Sequence, residues 1–71
     1  MNELAVSISQ LIRSSRKSKR ISQENLALQC GIDRSYLGRI ERGEVNITIK
    51  KLYDIAEILE ENPKKLLPLK E

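Results

Sequence analysis

Seventy-one residues with 13 Lys/Arg, 10 Asp/Glu and no histidine make one small domain, residues 1–71, of net charge +3. A single cysteine rules out an intrachain disulfide, and the absence of histidine and of a second thiol argues against a structural zinc site. Residues 4–12, the longest uncharged stretch near the start, are interrupted by serines and Gln10, so neither a signal peptide nor a membrane span fits and a cytoplasmic location is expected.

The first apolar residues, Leu4, Ile8, Leu11 and Ile12, follow each other at helical spacing. Asn2 is placed to cap this helix, Glu3 suits its positive end, and Lys17 and Lys19 suit its negative end. Ser22 caps the second helix, although Asn25 stands where a capping box prefers Glu or Gln. Leu26, Ala27 and Cys30 form its inward face, and Gly31 is the left-handed residue that ends it. Asp33 caps a third helix that runs to about Arg42, with Leu37 and Ile40 inward. After a loop over residues 43–47, Thr48 caps the fourth helix, whose inward face is Leu52, Ile55, Ala56 and Leu59. Asn62-Pro63 is a cap followed by a first-turn proline, so residues 64–67 read as a short fifth helix stopped by Pro68. No strand pattern competes, and the fold class is all-α.

Residues 22–43 carry the functional signal. Two short helices joined by a tight turn, the second with polar residues outward and an apolar anchor inward, are the layout of a helix-turn-helix. Arg34 opens the third helix, where its fork can meet guanine O6 and N7, or stay solvated beside Asp33 or Glu41. Ser35 is next to it and can touch a base edge or a phosphate. Arg39 lies in the same arc and can read a base, pair with Glu41 or meet a phosphate. Tyr36 can set its hydroxyl on a phosphate, stack on a thymine methyl, or pack onto the second helix. Gln23 begins the second helix, where amide groups and the helix dipole favour a phosphate. Arg42, Asn46 and Thr48 flank the following loop and are expected to run along the DNA backbone.

Charge agrees with a polyanionic partner. Residues 1–42 hold eight Lys/Arg against four Asp/Glu, whereas residues 43–71 hold five against six. Arg13, Arg16, Lys17, Lys19 and Arg20 form a run without acids, which is either a phosphate clamp or a solvated face. No serine has a visible base, and there is no glycine-rich phosphate loop or paired-carboxylate site, so neither an enzyme nor a cofactor is expected. Cys30 reads as a small core residue rather than a redox sensor. A chain of this length buries only about 60% of its unfolded surface, which makes a homodimer expected on stability grounds. Ile58, Leu66, Leu67 and Leu69 either form its seam or cap the monomer's own core.

Gln23, Leu26, Ala27, Gly31, Leu37, Ile40, Glu41 and Gly43 stand where the lambda-repressor-like helix-turn-helix family (Cro/CI, XRE type) has such residues, and residues 8–67 resemble it in register. More narrowly, the stretch IDRSYLGRIERGEVNITI resembles the controller proteins of restriction–modification systems. The chain departs from the family at Ser15, where an apolar residue is usual. The resemblance implies a five-helix domain with the helix-turn-helix in helices 2 and 3, base contacts from Arg34 and Arg39, beside which Ser35 is expected to join, and a backbone anchor at Gln23. It also implies an Arg16–Glu41 ion pair and favours the seam role for the C-terminal apolar residues. Its implied partners are double-stranded DNA at a near-palindromic operator, a second copy of the chain, and RNA polymerase, which the protein would recruit at low occupancy and block from a second site. A phage-type repressor, and an antitoxin or other protein-interaction module that regulates its own expression, share this pattern.

Overall fold

The computed structural model describes residues 3–68, which form four α-helices and one 3-10 turn. The helices are α1 (Glu3–Ser18), α2 (Gln23–Cys30), α3 (Arg34–Glu41) and α4 (Ile49–Leu59). The expected fifth α-helix is instead the 3-10 turn Pro63–Leu66. Four residues set between two prolines leave no room for an α-helical ladder. Leu67, the residue before Pro68, is extended at φ −113° and ψ 138°, as the proline ring requires of its neighbour.

Local signals place the ends. Ser22 accepts a hydrogen bond from the Asn25 N–H, Thr48 from Lys51 and Asn62 from Lys64. Asp33 occupies the N-cap of α3 with extended backbone, but its side chain makes no capping bond. Gly31 ends α2 at φ 70°, and Gly43 follows α3 at φ 73°. The cap expected at Asn2 lies outside the described residues.

The core is one cluster to which every helix contributes. Ile8 and Ile12 come from α1, Leu26 and Ala27 from α2, Leu37 and Ile40 from α3, and Leu52, Ile55, Ala56 and Leu59 from α4. α3 packs against α1 and α2, α4 packs against α2, and the 3-10 turn closes over α4 and α1. The apolar spacing of α1 gives a helix, but its buried face is not the apolar stripe itself. Leu4 is 53% exposed and Leu11 half-buried, while the buried stripe runs through Ala5, Ile8, Ser9, Ile12 and Arg16. The helix is turned toward two polar residues: Arg16 finds its partner on the buried face of α3, and Ser9 donates to the Val6 carbonyl of its own helix at 2.6 Å. Ser9 lies beneath Gly43, and Arg16 meets Glu41. Ser15, the departure from the family pattern, donates to Glu61 Oε2 at 3.3 Å and so ties α1 to the segment after α4.

Among the described residues no helix is long and apolar enough to cross a membrane.

Candidate nucleic-acid interface

α3 turns Leu37, Gly38, Ile40 and Glu41 inward and leaves Arg34, Ser35 and Arg39 exposed on its outer face. An open cleft runs beside that face, lined by Gln23, Arg34, Ser35, Gly38 and Arg42. Four of the residues expected at the interface therefore meet at one place, and Arg39 lies one turn away from Ser35. Gly38 lines the cleft beside both side chains. A Cβ there would sit 3.1 Å from Arg42 Nη1 and 3.8 Å from Gln23 Oε1.

Below the cleft lies a buried polar network. Arg16 donates from Nε to Glu41 Oε2 at 2.7 Å, from Nη2 to Glu41 Oε1 at 3.0 Å, and from Nη1 to the Ile21 carbonyl at 2.9 Å. Gln23 adds its Nε2 to Glu41 Oε1 at 3.1 Å. Glu41 is 2% exposed, and three donors satisfy its charge. Among the described residues no buried side-chain nitrogen or oxygen lacks a partner. The network fixes Gln23 by one amide hydrogen and leaves the second free to donate outward. It also takes Arg16 out of the basic run, away from both a phosphate clamp and a solvated face. Lys19 pairs with Glu61 at 3.7 Å, whereas Arg13, Lys17 and Arg20 remain exposed.

Arg39 pairs with Glu44, at 3.8 Å, and not with Glu41. Arg42 pairs with the same carboxylate at 2.7 Å. The hydrogen bond from Arg42, aided by its charge and that of Arg39, holds the Glu44 carboxyl below its ordinary range, and the same bond holds the Arg42 guanidinium still more firmly protonated. No carboxylate lies within ion-pair range of Arg34 among the described residues. Asn46 is exposed in the loop. Thr48 accepts at its Oγ1 as the α4 cap, which leaves its own hydroxyl proton to donate. Lys50 and Lys51 both face Asp54. Tyr36 is half-buried and packs against the core.

The apolar residues expected at a dimer seam divide. Leu66 is 1% exposed and belongs to the core of its own chain, so it has no surface to offer a partner. Ile58 and Leu67 pack on the core and remain half-buried, and Leu69 lies outside the described residues. Ile49 and Tyr53, one turn apart on α4, are exposed apolar residues that the sequence reading passed over. Cys30 is half-buried, and burial pushes its thiol pKa up, which opposes the thiolate that a redox sensor needs.

Gly38 and Glu44 were also missed. A glycine within a helix is disfavoured by about 1 kcal/mol relative to alanine, and that cost was the available signal for Gly38. For Glu44 the signal was an acid two and five residues after arginines on a basic surface.

The helix-turn-helix family model matches residues 12–66. Control protein C.BamHI of Bacillus amyloliquefaciens is 37% identical over 67 residues, covering 93% of this chain and 83% of the relative. Control protein C.SmaI of Serratia marcescens is 41% identical over 56 residues, covering 79% and 67%. The crystal structure of the restriction–modification controller protein C.AhdI from Aeromonas hydrophila superimposes with a TM-score of 0.85 at 38% identity, covering 89% of this chain and 96% of that one.

Proposed function

The chain belongs to the helix-turn-helix family, and from that premise we propose that it is a sequence-specific DNA-binding regulator of transcription that acts as the control protein of a restriction–modification system. The observation that carries this reading is the convergence of Gln23, Arg34, Ser35 and Arg42 at one cleft on the outer face of α3. α3 enters the major groove. Arg34, Ser35 and Arg39 meet base edges there, and Gln23, Arg42, Asn46 and Thr48 fix the register by holding phosphates. Tyr36, seated on the core, offers its exposed edge to the DNA backbone. Two copies bind one operator in the cytoplasm, their recognition helices about 34–36 Å apart, so the operator is a near-palindrome. Ile58 and Leu67, half-buried at the edge of the core, belong to the seam between the two copies. RNA polymerase is the partner through which operator occupancy becomes transcription.

The test is fluorescence anisotropy with a duplex from the chain's own upstream region and a scrambled duplex at near-physiological salt. Binding about a thousandfold tighter to the native duplex, at two protomers per site, supports the reading. Equal, salt-sensitive binding to both duplexes rejects that operator, and absence of binding rejects the function.

Two variants separate the roles of the arginines. Arg34→Ala is expected to lose about 1–3 kcal/mol at its cognate base pair and little on scrambled DNA. Equal weakening on every sequence contradicts base reading. Arg42→Ala is expected to weaken all duplexes alike and lower the salt slope by about 0.9 per protomer. An unchanged slope removes Arg42 from the phosphate set.

A further inference from the structure

A carboxylate stands at the end of the reading helix, on a surface that should favour cations. Gly43 turns the chain back in left-handed backbone, and the Glu44 N–H donates to the Arg39 carbonyl at 2.9 Å. That bond seats Glu44 over the last turn of α3. Its Oε2 accepts from Arg42 Nε at 2.7 Å, and its Oε1 lies 3.5 Å from Arg42 Nη2 and 3.8 Å from Arg39 Nε. The carboxylate therefore engages Arg39 along the Nε side. The outer edge of that guanidinium, Nη1 and Nη2, is left to meet the O6 and N7 of a guanine. Glu44 and both arginines are exposed to solvent, so the clip opens when a stronger anion competes.

We propose that Glu44 is a positioning residue for DNA discrimination: it steadies Arg39 from behind for base reading, and its charge opposes binding to phosphates alone. The inference rests on α3 being the DNA-reading helix. On a non-cognate duplex Arg39 and Arg42 have only phosphates to meet, so both must leave Glu44, and its carboxylate is brought against the backbone. On the operator Arg39 keeps its Nε contact while reading a base, and only Arg42 is exchanged. The carboxylate thus weakens sequence-independent binding more than operator binding. An exposed carboxylate is charged throughout the neutral pH range even after Arg42 has left it.

The experiment compares the full chain with E44Q and E57Q on operator and scrambled duplexes across a salt series. Glu57 is an exposed acid on α4, on a different helix from Arg39, so E57Q makes the same change in net charge. With E44Q, the scrambled duplex is expected to bind more tightly, with a salt slope steeper by about 0.9 per protomer, and the operator preference to fall about tenfold. E57Q is expected to leave slope and preference near those of the wild type. Thermal melting of E44Q should match the wild type, since the residue is exposed. The proposal is overturned if E44Q keeps the wild-type slope and preference, or if E57Q changes them equally. Failure of the wild-type chain to bind either duplex overturns the DNA reading, and this proposal with it.

Discussion

Glu41→Ala is expected to destabilise the fold by about 3–5 kcal/mol, because it leaves the Arg16 guanidinium buried without its counter-charge. A domain of 71 residues has about 4–10 kcal/mol of stability in total, so this one change removes a large share of it. The pair is bidentate at 2.7 and 3.0 Å, and both partners are withdrawn from water. Urea unfolding of the purified variant measures the loss. The cost arises from the stranded charge rather than from the attraction between the partners. Joint replacement, Arg16→Met with Glu41→Leu, is therefore expected to recover most of the stability. A loss below about 1 kcal/mol for Glu41→Ala would place the pair among screened surface bridges and sink the argument.

Gly43→Ala is the second large effect, expected at about 2–5 kcal/mol. Left-handed backbone costs an alanine about 1–2 kcal/mol, and forcing a methyl into packed structure adds about 1–3. The methyl would lie 3.0 Å from the Cα of Val6, which is backbone and cannot turn aside, and 3.0 Å from Val6 Cγ2. Gly31 supplies the internal comparison. Its φ of 70° is nearly the same, but a Cβ there meets nothing within 4 Å. Gly31→Ala is thus expected to cost only the backbone component, about 1–2 kcal/mol. Melting curves of the two variants should separate clearly. If Gly31→Ala is as harmful as Gly43→Ala, the contact with α1 contributes nothing.

The parts of the fold legible from sequence are those fixed by near neighbours. The caps at Ser22, Thr48 and Asn62 act over two or three residues, and each makes the expected bond. All four inward residues of α4 follow from its period alone. The orientation of α1 does not, because hydropathy favours Leu4 and Leu11 over Ser9 and Arg16. What turns the helix is Gly43 and Glu41, more than twenty residues further on, and no local pattern reveals them. Leu66 went to the core rather than to a partner for a similar reason. A short turn between prolines folds back over α4, and its direction depends on packing. The Arg16–Glu41 pair was legible only through family resemblance, since nothing in either residue's own neighbourhood selects the other. At the interface, the arginines were visible as residue types in a motif. Their shared engagement with Glu44 depends on a left-handed turn that aims one side chain.

Arg34, Ser35 and Arg39 occupy the outer face of α3, outside the hydrophobic cluster and outside the Arg16–Glu41 network. Their identity can drift at little cost to folding. Gln23 has no such freedom, because the amide assigned to a phosphate also satisfies the buried Glu41. On the proposed DNA reading, lineages of this chain could therefore diverge in the sites they recognise while inheriting one way of gripping the helix, and an engineer wanting a new address would rewrite the three and leave Gln23 alone.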